Sequence, residues 1–234
     1  MIREHAFNSR WWESPVGFVE SAAFFSLPAE EQQARLSPFA WAEFRSPIES
    51  APPLRELQRA GFMQFDTQVD FRINLHRMEC TASMDELHVR FADEHPFMVP
   101  VQAPAAFRHE RFQHVPGVTA AKLDERYRLW ANELIARQPA CCVEVVCGDA
   151  VQGWFLSETD DTGLHLCLSM AHHAARISGM YVYQRALLAF AQRGARLGHA
   201  RFSIANVAVH NIYARLGAVF RQSLGCWLWV RADV

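Results

Sequence analysis

Proline and glycine are so unevenly distributed along this chain that its two halves must be built differently. Ten of the 11 prolines precede residue 117, and eight of the 11 glycines lie at or after residue 148. In the first half, residues 11–25 read as an apolar, partly extended segment. Residues 54–60 make a short amphipathic helix stopped by Gly61, the residue that most easily takes the left-handed conformation after a helix. Segments 62–65 and 69–75 alternate like two paired strands, which predicts a small α/β unit ending near Leu75. From 76 to 118, the pairs His95-Pro96, Val99-Pro100, Ala103-Pro104 and Val115-Pro116 disfavour helix before each proline. They predict a connector followed by a surface-crossing loop.

The second half is better patterned. Thr119 is placed to cap a helix whose apolar positions Leu123, Tyr127, Trp130 and Leu134 recur at near-helical spacing. Strands at 142–146 and 151–156 flank a Gly148-Asp149 turn, the signature of a hairpin. Residues 164–170 alternate as a third strand, followed by a loop of small residues with His172 and His173. A helix over 179–193, a strand at 201–204, a helix over 207–216 closed by Gly217, and short strands at 219–222 and 226–230 complete the order α-β-β-β-α-β-α-β-β. Trp227 and Trp229, two apart on the last strand, are expected to share one face against the core, with the border of an acceptor pocket as the alternative.

Composition removes several classes of function. The 234 residues are 50% hydrophobic and 21% charged, enough apolar material for a core. The net charge of −2 argues against a general nucleic-acid binder. Lys122 is the single lysine among 23 basic residues, and the arginines are scattered along the sequence in no stripe, a compositional bias. No apolar run approaches the roughly 20 residues that a bilayer helix needs, and the start, Met1-Ile2-Arg3-Glu4-His5, is too polar for a secretory signal. These features predict a soluble, cytoplasmic protein. The six cysteines form no C-x-x-C pair and no zinc ladder, so core packing is their expected role and no metal is expected. His172 and His173 are adjacent and project differently, a poor chelate; they read as loop histidines. Glu144, Glu158 and His165 lie on strands, where structural or surface roles are expected, with proton relay as the functional alternative.

Asn206, Tyr213 and Gly217 stand at intervals of seven and four residues on the last helix. This pattern resembles the last-helix signature of the GNAT N-acetyltransferase superfamily, and the helix beginning at Gly179 resembles that family's coenzyme A helix. The resemblance covers about residues 87–234. Residues 1–80 are similar to the small domain that precedes the catalytic domain in TDP-fucosamine acetyltransferases, through Trp12-Glu13-Ser14, Gly17-Phe18, Leu57 and Ala60-Gly61-Phe62. The resemblance implies an α/β (α+β) architecture, a mixed, largely antiparallel twisted sheet with helices on both faces, preceded by a smaller α/β domain.

It also implies a site. The loop that opens the coenzyme A helix, Arg176, Ile177, Ser178 and Gly179, would hold the donor's diphosphate on backbone N–H groups at a positive helix end. Against the family's Gln/Arg-x-x-Gly-x-Gly/Ala pattern, Ala174 and Ile177 replace the usual Gln/Arg and central glycine when Gly179 is matched last; the other register, Arg176-x-x-Gly179-x-Tyr181, keeps the Arg and one Gly but ends on a bulky Tyr. A β-branched residue at the central position resists positive φ and close backbone approach. Backbone N–H groups at Leu168 and Met170 would face the tetrahedral oxyanion, and Asn206 would combine capping with a bond to the pantetheine arm. Tyr213 would act as general acid, because a phenol with ordinary pKa near 10 protonates a thiolate at modest cost. The implied reaction is direct acetyl transfer from acetyl-CoA to a primary amine in a ternary complex. The acceptor suggested by the resemblance is the amino group of a nucleotide-linked 4-amino-6-deoxy sugar. The residues leave open a carrier-protein donor, an amino-acid acceptor, a non-catalytic binding module that keeps the fold, and a homodimer.

Overall fold

A computed structural model describes residues 1–79, 86–100 and 111–232. Its centre is one sheet of ten strands in the order β1-β2-β3-β10-β4-β9-β8-β7-β6-β5. The strands are β1 (Ile2–Glu4), β2 (Val16–Val19), β3 (Trp41–Pro47), β4 (Met63–Asn74), β5 (Leu87–Phe91), β6 (Cys142–Cys147), β7 (Ala150–Asp160), β8 (Gly163–Ala171), β9 (Leu197–Ser203) and β10 (Val219–Val230). The helices are α1 (Ala6–Trp12), α2 (Ala29–Leu36), α3 (Leu54–Arg59), α4 (Ala120–Arg137), α5 (Gly179–Gln192) and α6 (Val207–Arg215). All neighbouring strands are antiparallel except β2–β3 and β8–β9. The expected mixed, largely antiparallel sheet with helices is what the chain forms. Among the described residues no helix is long and apolar enough to cross a membrane.

The helices of the second half begin and end where local chemistry dictates. Thr119 Oγ1 accepts from Lys122 N at 3.2 Å, Ser178 Oγ from Met180 N at 3.4 Å, and Asn206 Oδ1 from Val209 N at 3.2 Å. Each satisfies a backbone donor that a first turn leaves orphaned. Gly194 and Gly217 follow α5 and α6 at φ of +96° and +79°, where a side chain is strained. α5 and α6 cover one face of the sheet, packing Val182, Tyr183, Leu187 and Tyr213 on Phe71, Val145, Phe155 and Leu166. α4 covers the other face, with Tyr127, Ala131 and Leu134 on Trp154, Leu156, Leu168 and Met170.

Several expectations from the first half are corrected. Residues 11–25 hold the end of α1, strand β2 and a 3-10 turn at Ala22–Ser26 rather than one extended segment. Segments 62–65 and 69–75 do not pair with each other; they are one strand, β4, hydrogen-bonded to β10 on one side and β9 on the other. The two short strands at 219–230 are likewise one strand, β10, whose ladder with β4 is interrupted by a bulge at Arg221 of β10 and another at Phe65 of β4. In the predicted connector, Leu87–Phe91 forms edge strand β5 against β6. Phe112 and Val115 are buried against Trp11 and Trp41, so the surface segment 111–118, with Gln113, Pro116 and Gly117 exposed, is anchored to the core by two side chains; residues 101–110 of that loop lie outside the described residues. Strand β9 begins four residues earlier than predicted. Trp227 and Trp229 do share a face, packed with Phe44 and Phe62. The sheet is continuous across the boundary expected at residue 80, because β4 lies between β10 and β9.

Candidate functional site

The site is created by a strand that changes faces. Along β8, Leu164 and Leu166 pack on the α5–α6 side, whereas Leu168 and Met170 pack on the α4 side. Residues an even number apart normally share a face, so the switch needs one extra residue. That residue is Cys167: Leu156 pairs with Leu168 but Ser157 pairs with Leu166, a bulge in β8. On its other edge β8 runs parallel to β9 through only two paired positions, Leu164 with Gly198 and His165 with His199. Beyond them the strands separate. Among the described residues, the β8 backbone has no partner strand on that edge from Leu166 onward.

A cavity of about 150 Å³ occupies the gap, bordered by Cys167, Leu168 and Ser169 of β8, Phe202 of β9, and Asn206 and Tyr213 of α6. It merges through Gln68, Trp130 and Cys167 with a wider cleft of about 710 Å³ on the α4 side. The cleft reaches residues of β3, β4, α4, β7, β8, β9 and the first turn of the chain. Its volume is in the range of small-molecule sites.

Tyr213 is held rigidly at the cavity. Its ring lies 4.2 Å from Phe71, 5.3 Å from Tyr183 and 5.9 Å from Phe202, and the residue is only 4% exposed. Its hydroxyl makes no hydrogen bond to a described residue. Burial, with smaller contributions from Tyr183 and Cys167, pushes its pKa well above 10. The phenol therefore stays neutral and is a hydrogen-bond donor. Burial also makes full proton transfer to a thiolate costlier than the ordinary value of a phenol implies. Tyr183, next to Ser169, is pushed up to about 12 by burial. Burial likewise pushes the Cys167 thiol to about 12. At neutral pH the thiolate fraction there is of order 10⁻⁵, so the cavity holds no ready thiolate nucleophile.

The loop after β8 is anchored by Gln152, a buried residue of β7. His172 N donates to the Gln152 carbonyl at 2.8 Å and Arg176 N to its Oε1 at 2.9 Å. Ala174 N donates to His172 Nδ1 at 3.1 Å. The chain thus arrives at α5 with the N–H groups of Ile177, Ser178 and Gly179 bonded to no described residue. Arg176 is exposed beside them, and Gly179 faces open space. Ile177 packs against the α5–α6 core.

The structure thus gathers Leu168, Asn206 and Tyr213 around one cavity and Arg176 to Gly179 at one helix end. Asn206 is the α6 cap as well as a cavity residue. Met170 does not border the cavity; it pairs with Trp154, and its carbonyl lies so near Gly153 that an added Cβ there would sit at 2.6 Å. Glu158 and His165 line the wider cleft, Glu158 paired with Arg137 and His165 Nε2 2.9 Å from Asp160. Glu144 lies elsewhere, ion-paired to Arg90 at 3.7 Å. The described cysteines are free. Gln68 and Gln152 escaped the sequence reading; their signal is a long amide in an otherwise apolar stretch of strand.

No protein-family model matches this chain, and no curated protein matches it in sequence. Solved structures do match. A GCN5-related N-acetyltransferase from Kribbella flavida superposes with a TM-score of 0.56 at 12% identity, over 94% of this chain and 83% of that one. One from Sphaerobacter thermophilus gives 0.54 at 15% identity, over 85% of this chain and 64% of that one, so this chain spans under two thirds of that protein. A tandem GNAT protein from the clavulanic acid biosynthesis pathway gives 0.56 at 12% identity, over 93% and 75%. At such identities the likeness is one of architecture, and the fold of this chain is that of the GCN5-related N-acetyltransferases.

Proposed function

We propose that the protein is an N-acetyltransferase that moves an acetyl group from acetyl-CoA to a primary amine on a small molecule. The observation that carries this is the separation of β8 from β9, which leaves a cavity with an unbonded Tyr213 hydroxyl on one wall and bare β8 backbone on the other. The partnerless N–H groups of Ile177, Ser178 and Gly179 fit a diphosphate, which the positive end of α5 also favours. Because Ile177 packs into the core, its β-branch does not stand over those donors, and the departure from the family pattern is compatible with binding.

Bound acetyl-CoA supplies an activated thioester carbonyl. The chain's own residues then hold and polarise. Backbone N–H groups of β8 about Leu168 stabilise the oxyanion that forms as the amine nitrogen bonds to the carbonyl carbon. Collapse breaks the carbon–sulfur bond; Tyr213 donates its hydroxyl hydrogen bond to the departing sulfur, and the amine's surplus proton leaves to solvent through the open cleft. Holding both substrates in one cleft supplies proximity, and no covalent enzyme intermediate is needed. Support for the finer reading, a nucleotide-linked 4-amino-6-deoxy sugar as acceptor, comes from the width of the cleft beside the cavity. Coenzyme A should raise the melting temperature, as any ligand of the native state must, and thiol release from acetyl-CoA should depend on added amine. No thermal shift together with no amine-dependent thiol release would overturn the proposal.

A further inference from the structure

The cavity beside β8 is bordered by Tyr213 of α6 and Trp130 of α4, helices on opposite faces of the sheet, so it joins the two faces. The α5 end stands on the face of Tyr213, and the wide cleft opens on the face of α4. A donor held at α5 arrives from one side and an acceptor lying in the cleft from the other. Gln68 of β4 borders both the cavity and the cleft. Phe71 and Ile73 pack under α5 and α6, so Gln68, three positions before Phe71, stands on the acceptor's side. Its backbone pairs with Ser203, the last residue of β9, past the point where β8 and β9 separate.

Gln68 is 5% exposed, yet its Oε1 has no hydrogen-bond partner among the described residues. Gln152, a second buried glutamine of this sheet, spends its Oε1 on Arg176 N at 2.9 Å. An unmatched buried acceptor costs free energy that a ligand's N–H group recovers. The terminal amide turns on a broad torsion, which lets its oxygen face the gap. A primary amine carries two N–H donors and one lone pair, and only the lone pair attacks. A neutral carbonyl oxygen takes an N–H and leaves the lone pair free, whereas a carboxylate in its place favours the ammonium, which has none. Asp66, the carboxylate bordering the cavity, accepts from Ser203 Oγ at 2.6 Å. Resting on the acetyltransferase reading, we infer that Gln68 orients the acceptor: its amide oxygen takes one N–H of the amine and aims the lone pair at the thioester carbon. As the nitrogen–carbon bond forms, positive charge grows on nitrogen and this hydrogen bond strengthens, so the contact favours the transition state over the bound amine.

The test is steady-state kinetics of the full chain with acetyl-CoA and methylamine, glucosamine or tyramine, read by thiol release, with melting temperatures measured alongside. Gln68→Leu and Gln68→Met keep the bulk of the side chain without its amide. In both, kcat should fall about tenfold or more while KM for acetyl-CoA stays near that of the wild type. The melting temperature should hold or rise, because each change removes an unmatched buried acceptor. Unchanged amine kinetics in either variant would overturn the inference. So would lost activity that comes with a lowered melting temperature in both, which makes Gln68 a packing residue. Failure of the acetyltransferase reading shows separately and in the wild type, as no thiol release with any of the three amines, and it removes the inference as well.

Discussion

At the scale of single residues, the proposed chemistry rests mostly on Tyr213. Tyr213→Phe removes one unbonded hydroxyl and leaves the ring among Phe71, Tyr183 and Phe202, so stability should change by no more than about 1 kcal/mol. Removing a positioned acid or donor costs on the order of 10²–10⁴-fold in rate, and kcat for amine acetylation should fall by that much with a near-normal KM for acetyl-CoA. Single-turnover kinetics check this: a mutant as fast as wild type in the chemical step leaves Tyr213 without that role. Glu43 illustrates the opposite kind of residue, structural and strongly coupled. Burial alone would raise its pKa, but Arg111 and Arg45 together hold it below the ordinary 4.5. A carboxylate with a lowered folded pKa adds stability above its unfolded value, and that stability is lost as pH falls through the folded value. Thermal stability of the wild type should therefore drop on acidification below about pH 4.5, and Glu43→Gln should flatten that limb. At neutral pH the same variant should cost about 3–5 kcal/mol, since it strips the shared carboxylate from two guanidiniums. A melting series across pH for both proteins decides it. Asn206 and Tyr213 were legible from spacing because both lie on one helix. Gln68 and Gln152 were not, because nothing local marks a strand amide as lining a cavity or pinning a loop.

At the scale of elements, α5 and β4 are the informative pair. Where α5 starts, Gly179 has open space in the direction of a Cβ and no positive φ. Gly179→Val should thus leave the melting temperature of the free protein nearly unchanged while crowding the three bare N–H groups. Coenzyme A affinity should fall at least about tenfold, or 1.4 kcal/mol, by calorimetry. Intact affinity would remove the α5 end from the donor site. The boundaries of α4, α5 and α6 were readable because capping residues and stop glycines act within a few positions of the backbone they control. Strand β4 was not. Asp66, Gln68 and Asp70 recur with period two on the side lining the cavity or its cleft, and the polar run Asp66-Thr67-Gln68 reads in the sequence as a break between two strands. Strand β10 was split for a related reason: Ser223 and Gly225 interrupt its apolar pattern, although both stay paired with β4.

At the scale of the whole molecule, the placement of β4 governs cooperativity. Residues 63–74 fill the slot between β9 and β10, so the first 80 residues complete the sheet of the rest. We expect the full chain to melt in one calorimetric transition, with equal van't Hoff and calorimetric enthalpies. A chain truncated to residues 87–234 would expose the facing edges of β9 and β10, and it should aggregate or fail to show a cooperative melt. Two separate transitions in the full chain would instead make the boundary near residue 80 a true division between units.

By itself the sequence determined α3 to α6, the caps Thr119 and Asn206, the Gly148 hairpin and the alignment of Asn206 with Tyr213, since each depends on residues within a few turns of one another; α1 and α2 were not read from it. Only the tertiary structure decided the rest. The bulge at Cys167, the parting of β8 from β9 and the insertion of β4 depend on contacts such as Ser203 with Asp66, 137 residues apart along the chain. A periodicity constrains which face of an element is apolar, but it does not say which distant element will cover that face, and the cleft is formed where distant elements meet.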